Sequence, residues 1–189
     1  MDRTNMLNVR STAVEAFGWT FAIPGEPVTQ NDGKTFKTFR VPGNGSVAIM
    51  LPGPGSASMY RPMPTMRKIF TDSELSSEFA FTKAEIAAEP GEVSFWNSRT
   101  HNARLMALMA SKSTLAVNAT ALHPVGRGSV HGFEAVMQAK GTAFHIHLYD
   151  SRDHRIELLC RAPTDVDPQA WMNAILASIQ PPNVQSATQ

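Results

Sequence analysis

The chain has a single cysteine, Cys160, in 189 residues. One thiol excludes an internal disulfide, and among apolar neighbours it reads as a small buried hydrophobe. An excess of either charge sign is also missing: 17 basic residues against 16 acidic ones leave a formal charge of +1. No field of that size recruits nucleic acid or an anionic membrane, so neither is expected as a partner. No stretch approaches the roughly 20 uninterrupted apolar residues of a membrane span. Asp2, Arg3, Asn5, Asn8, Arg10 and Glu15 break up Met1 to Ala16, which excludes a signal peptide of the usual kind. The expected location is therefore cytoplasmic as written, or periplasmic had a leader been removed.

Catalytic signatures are scarce too. Gly33-Lys34-Thr35 ends like a phosphate loop, but the position five before Gly33 is Val28, not the required glycine. The segment Gly126 to Gly132 carries Ser129 and His131 but not the Gly-x-Ser-x-Gly of a nucleophile elbow. A hydrolase built on these two residues needs them within hydrogen-bond reach of each other. No motif calls for a cofactor, and the reading leans away from an enzyme.

What is present is core material. With 42% hydrophobic and 17% charged residues, the length suits one domain, expected over residues 17–180 between a polar leader (1–16) and a flexible tail (181–189). Trp19, Phe21 and Ile23 alternate with Thr20 and Ala22, predicting a strand ended by Pro24-Gly25. Phe36 to Val41 and Val47 to Leu51 predict a hairpin around Pro42-Gly43-Asn44-Gly45. Prolines and glycines make Pro52 to Pro64 a loop or an edge. Helices are expected over Thr71 to Glu89, with Asp72 or Ser73 as cap, and over Asn102 to Ser111, and a strand over Thr114 to Leu122.

The C-terminal third predicts a three-stranded meander over Phe133 to Ala139, Thr142 to Leu148 and His154 to Cys160. A two-residue turn at Lys140-Gly141 pairs Met137 with Phe144, Ala135 with Ile146 and Phe133 with Leu148, all apolar. A three-residue loop at Ser151-Arg152-Asp153, with Asp153 as the left-handed residue, pairs Leu148 with Ile156, Ile146 with Leu158 and Phe144 with Cys160. The buried set is then Met137, Phe144, Ile146, Leu148, Ile156 and Leu158. A final helix, capped by Asp167 with Pro168 following, presents Trp171, Met172, Ile175, Leu176 and Ile179 to that face. The fold class is α+β: an antiparallel sheet packed against helices as an α/β/α sandwich, ending in a meander and a capping helix.

The strand Gly18-Trp19-Thr20-Phe21-Ala22-Ile23-Pro24 and the closing Ile175-Leu176-Ala177-Ser178-Ile179, in this order of elements, resemble the PsbP-like and DcrB-like superfamily. That resemblance implies an antiparallel sheet between helices and a role in binding proteins, as in photosystem subunits, bacterial lipoproteins, and adaptors or chaperones of secretion. It covers the two ends of the domain, and residues 52–124 carry no part of it.

Two candidate sites follow. The predicted register sets His145 and His147 on one face, with Glu134, His147 and Glu157 in a cross-strand row; two imidazoles and two carboxylates are a donor set for a metal ion. The plain alternative is a polar sheet face with a salt-bridged histidine. The second is the Pro-rich loop, where Met59, Met63 and Met66 offer soft thioethers and, with Tyr60 and Arg67, an adaptable surface for a protein partner. The leading functional expectation is a non-enzymatic protein-binding module, such as a secretion adaptor, chaperone or immunity protein, which requires an exposed apolar patch or groove. The alternative is a metal-binding protein or metal-dependent enzyme using the histidine face.

Overall fold

A computed structural model of the chain describes residues 10–51, 71–87, 119–138 and 142–182. The Pro-rich loop with Met59, Tyr60, Met63, Met66 and Arg67, the expected helix over Asn102 to Ser111 and the tail beyond residue 182 lie outside the described residues.

Nine strands and two helices are described. Strands β1 (Ser11–Ala16) and β2 (Trp19–Pro24) form a two-stranded antiparallel sheet. Phe17 and Gly18, at φ 57° and 78°, supply the two left-handed residues that a tight hairpin with native twist needs. The last six residues of the expected polar leader are thus a strand. Strands β3 (Val28–Asp32), β4 (Phe36–Val41), β5 (Gly45–Met50), β6 (Ala119–Arg127), β7 (Val130–Gln138), β8 (Thr142–Tyr149) and β9 (Arg155–Arg161) form a seven-stranded sheet. Its order is β3-β4-β5-β9-β8-β7-β6, and every pair is antiparallel. Helix α1 (Glu78–Ala87) begins later than expected, capped by Ser77 Oγ accepting from Ala80 N at 3.0 Å. Helix α2 (Pro168–Ser178) starts as predicted, with Asp167 Oδ1 accepting from Ala170 N at 2.8 Å.

The architecture is sheet-dominated and antiparallel, with short helices added. None of the described helices is long and apolar enough to cross a membrane. One sheet face carries Val47, Ile49, Phe144, Ile146, Leu148, Ile156, Leu158 and Cys160, and β2 and α2 bury it with Trp19, Phe21, Ile23, Trp171, Met172 and Ile175. The covering pieces are stitched together: Ser178 Oγ accepts from Ala22 N at 2.7 Å, and Thr20 and Gln180 exchange two backbone hydrogen bonds. On the opposite face Phe79 of α1 stacks on Phe133 at 5.1 Å between centroids and meets Tyr149 and His131 edge-on at 5.5 and 4.3 Å.

The two predicted hairpins of the meander fare differently. The β8–β9 register is the expected one, with Leu148 opposite Ile156, Ile146 opposite Leu158, Phe144 opposite Cys160, and Asp153 at φ 64°. The β7–β8 register is not. Ile146 faces Glu134, Phe144 faces Val136 and His147 faces Phe133, one residue away from the expected pairs, leaving residues 139–141 as the connection. Phe133, Ala135 and Met137 therefore lie on the α1 side, and Met137 is only half-buried. The physical reason is that both faces of β7 are covered: the more apolar set, Phe133, Ala135 and Met137, goes to the α1 side, and the core-facing set carries the buried Glu134, so apolar matching selects the wrong face. The strand predicted over Thr114 to Leu122 is described from Ala119 and runs on to Arg127, and Gly128-Ser129 make the turn into β7.

Candidate metal centre on the sheet face

The candidate site grows from the β8–β9 ladder. In an extended strand, alternate side chains share a face, so His145 and His147 project together from β8, and Arg155 and Glu157 from β9. His147 is directly opposite Glu157, and His145 is opposite Leu159. The Nε2 atoms of the two imidazoles lie 3.2 Å apart. Glu157 Oε2 lies 3.5 Å from His145 Nε2 and 3.8 Å from His147 Nε2. The other carboxylate oxygen, Oε1, is held by Arg155 Nη2 at 2.8 Å. Glu157 thus presents one oxygen to the histidines while its second is occupied.

Electrostatics keep His147 and Glu157 in a ligand-ready form. Burial pushes His147 down to about 3 against the pull of the Glu157 carboxylate, so its imidazole is neutral at physiological pH. For Glu157 burial acts upward, but the hydrogen bond from His145 and the neighbouring positive charge, Arg155 included, outweigh it and bring the carboxyl to about 2. A neutral imidazole and an ionised carboxylate are the forms that bind metal. His147 Nδ1 is buried without a hydrogen-bond partner among the described residues.

The fourth expected ligand is elsewhere. Glu134 belongs to the opposite face because of the one-residue shift in β7, and it lies 3% exposed beside α2. There Gln169 Nε2 donates to both of its carboxylate oxygens, at 3.3 and 3.2 Å. Burial raises its pKa above the ordinary carboxylate range. Three of the four residues therefore meet, and they are the one His, Cys, Asp and Glu group with metal-holding geometry among the described residues. Arg155, which orients Glu157, escaped the sequence reading, although its spacing of two from Glu157 on a strand was the available signal.

The other motifs do not assemble. No hydrogen bond joins Ser129 to His131 among the described residues; Ser129 is exposed in the β6–β7 turn and His131 packs against Phe79. His154 lies apart from the histidine pair, its Nδ1 3.2 Å from Asp150 Oδ2. Asp150 is a structural group: buried, it accepts from the backbone N–H of Arg152 and of His154 at 2.8 and 2.9 Å and closes the β8–β9 turn. Cys160 is buried on the core face, where burial pushes its thiol far above its usual range, so it is no ligand for the histidine pair. An apolar cleft of about 540 Å³ also opens between β1–β2, the β4–β5 turn and the start of α2, lined by Pro24, Val41, Pro42, Pro163, Trp171 and Ala174 among others.

No protein-family model matches the chain, and no curated protein matches it in sequence.

Proposed function

We propose that this chain is a metal-binding protein that holds one transition-metal ion between His145, His147 and Glu157. One observation carries the reading: the triangle of Nε2, Nε2 and Oε2, with edges of 3.2, 3.5 and 3.8 Å, has corners about 2.0 Å from its centre, so an ion about 0.5 Å to one side of its plane lies about 2.1 Å from each, a bond length zinc makes to imidazole and carboxylate. Two nitrogen donors favour a borderline metal over calcium or magnesium. The test is to strip the protein with a chelator and titrate it with zinc while following the melting temperature and the bound stoichiometry. One ion per chain and a rise in melting temperature, both lost in His147→Ala, are expected. No uptake by the wild-type chain sinks the proposal.

A protein-binding role is the second reading. It is favoured by the apolar cleft beside Trp171, which has the character such a module needs. The PsbP-like and DcrB-like resemblance, the α/β/α layering that goes with it, and a role as secretion adaptor, chaperone or immunity protein belong to this reading. Affinity capture from the native cell with the wild-type chain and an Ala174→Arg variant separates the cases. A partner held by the first and lost by the second supports it, and equal behaviour of the two removes it.

A further inference from the structure

Resting on the metal-binding reading, we infer that the ion at His145, His147 and Glu157 is four-coordinate, with the fourth position open to a water molecule or a small anion. Donor atoms around a tetrahedral ion at about 2.0–2.1 Å lie about 3.3 Å apart, whereas neighbouring donors around a square-planar or octahedral ion lie about 2.9 Å apart. The edges of this triangle, 3.2, 3.5 and 3.8 Å, lie nearer the first case than the second, and a regular tetrahedron needs only the longest to close, by about 0.5 Å. A three-ligand face of an iron-type octahedral site would require all three to contract.

The denticity of the carboxylate points the same way. Arg155 Nη2 holds Oε1 at 2.8 Å, so Glu157 gives the ion one oxygen and leaves the coordination number at three from the protein. No fourth His, Cys, Asp or Glu joins the group among the described residues. The site also reaches solvent, since the side chains of His145 and Glu157 keep 12% and 20% exposure while His147 keeps 6%. The ion thus enters with His147 behind it and the free position toward solvent. Three protein ligands plus an exchangeable one is the arrangement of zinc sites that activate water, as distinct from closed structural sites with four protein ligands. Its ligand class is therefore a solvent-derived water or a small anion that binds metal through one atom.

Cobalt(II) reports this directly, because it takes zinc's geometry and absorbs visible light strongly only when tetrahedral. The chelator-treated full chain is titrated with cobalt(II), then with sodium azide, and zinc is added last. An intense blue one-to-one complex whose visible bands shift on azide, and which zinc bleaches, is the expected result. A weakly absorbing six-coordinate spectrum, or an intense one that azide leaves unmoved, overturns the open four-coordinate site and leaves metal binding intact. No uptake of cobalt or zinc overturns both. Glu157→Gln and His145→Gln, checked for folding by circular dichroism, are each expected to weaken cobalt binding at least tenfold. Unchanged affinity in both would assign the ion to other groups.

Discussion

At the scale of residues, the instructive one is Glu134. A carboxylate placed 3% exposed under a helix, with a neutral carboxamide as hydrogen-bond donor, loses more hydration than Gln169 returns. Its raised pKa carries a definite sign: the folded state holds the proton more tightly, so Glu134 costs nothing well below the unfolded value of 4.5 and its penalty grows as pH rises through the folded pKa. Glu134→Gln is therefore expected to raise the melting temperature at pH 7 by about 2–4 °C, the shift that roughly 1 kcal/mol gives a chain of this size. At pH 4 the gain should vanish. A variant that melts lower than wild type at pH 7 would mean that a further positive charge stabilises the carboxylate. Glu134 and Glu157 are both glutamates of the meander, on the strands either side of β8, yet one is a buried liability and the other a braced ligand. That difference is settled by which face each strand turns to the core.

At the scale of elements, the β8–β9 ladder assembles the site and the β7–β8 ladder takes Glu134 out of it. Gly132 lies opposite Leu148, and a Cβ added there would sit on the carbonyl oxygen of His147. Backbone, not a flexible side chain, blocks the space, so the strand cannot yield without displacing the histidine it lies against. Gly132→Ala is expected to destabilise the fold by about 2–4 kcal/mol in urea unfolding, the range of overpacking and backbone displacement, and to weaken zinc binding alongside. A cost under about 0.5 kcal/mol would show that the two strands have room to separate. Element boundaries were legible where local chemistry sets them. Asp167-Pro168 begins α2, Asp153 turns β8 into β9, and Gly43-Asn44, at φ 76° and 63°, turn β4 into β5. Strands β1 and β3 escaped prediction because their burial pattern is mostly exposed, which leaves no alternation to read.

At the scale of the whole molecule, the site couples stability to acidity. In the unfolded chain His147 takes up a proton near pH 6.5, and in the fold burial defers this to about 3, so protons favour the unfolded state across that window. Glu157 adds in the same direction, since its carboxyl protonates near 4.5 when unfolded and near 2 when folded. Stability is therefore expected to fall as pH drops below about 6.5 and more steeply below about 4.5, with a loss of about 3–4 kcal/mol by pH 4. Urea unfolding at pH 7, 5.5 and 4 measures it. His147→Gln should flatten the upper part of the curve, and a wild-type curve flat from pH 7 to 4 would contradict the buried neutral imidazole.

By itself the sequence determined the antiparallel meander, the β8–β9 register, the capped final helix and the pairing of His145 and His147 with Glu157. Those rest on local rules: alternation, turn residues tolerant of positive φ, and a capping aspartate before proline. Only the tertiary structure decided the β7–β8 register, and with it that Glu134 leaves the site. Helix α1 laid on the outer face covers Phe133 there while Glu134 is buried on the inner side, so apolar content alone points to the wrong face of β7.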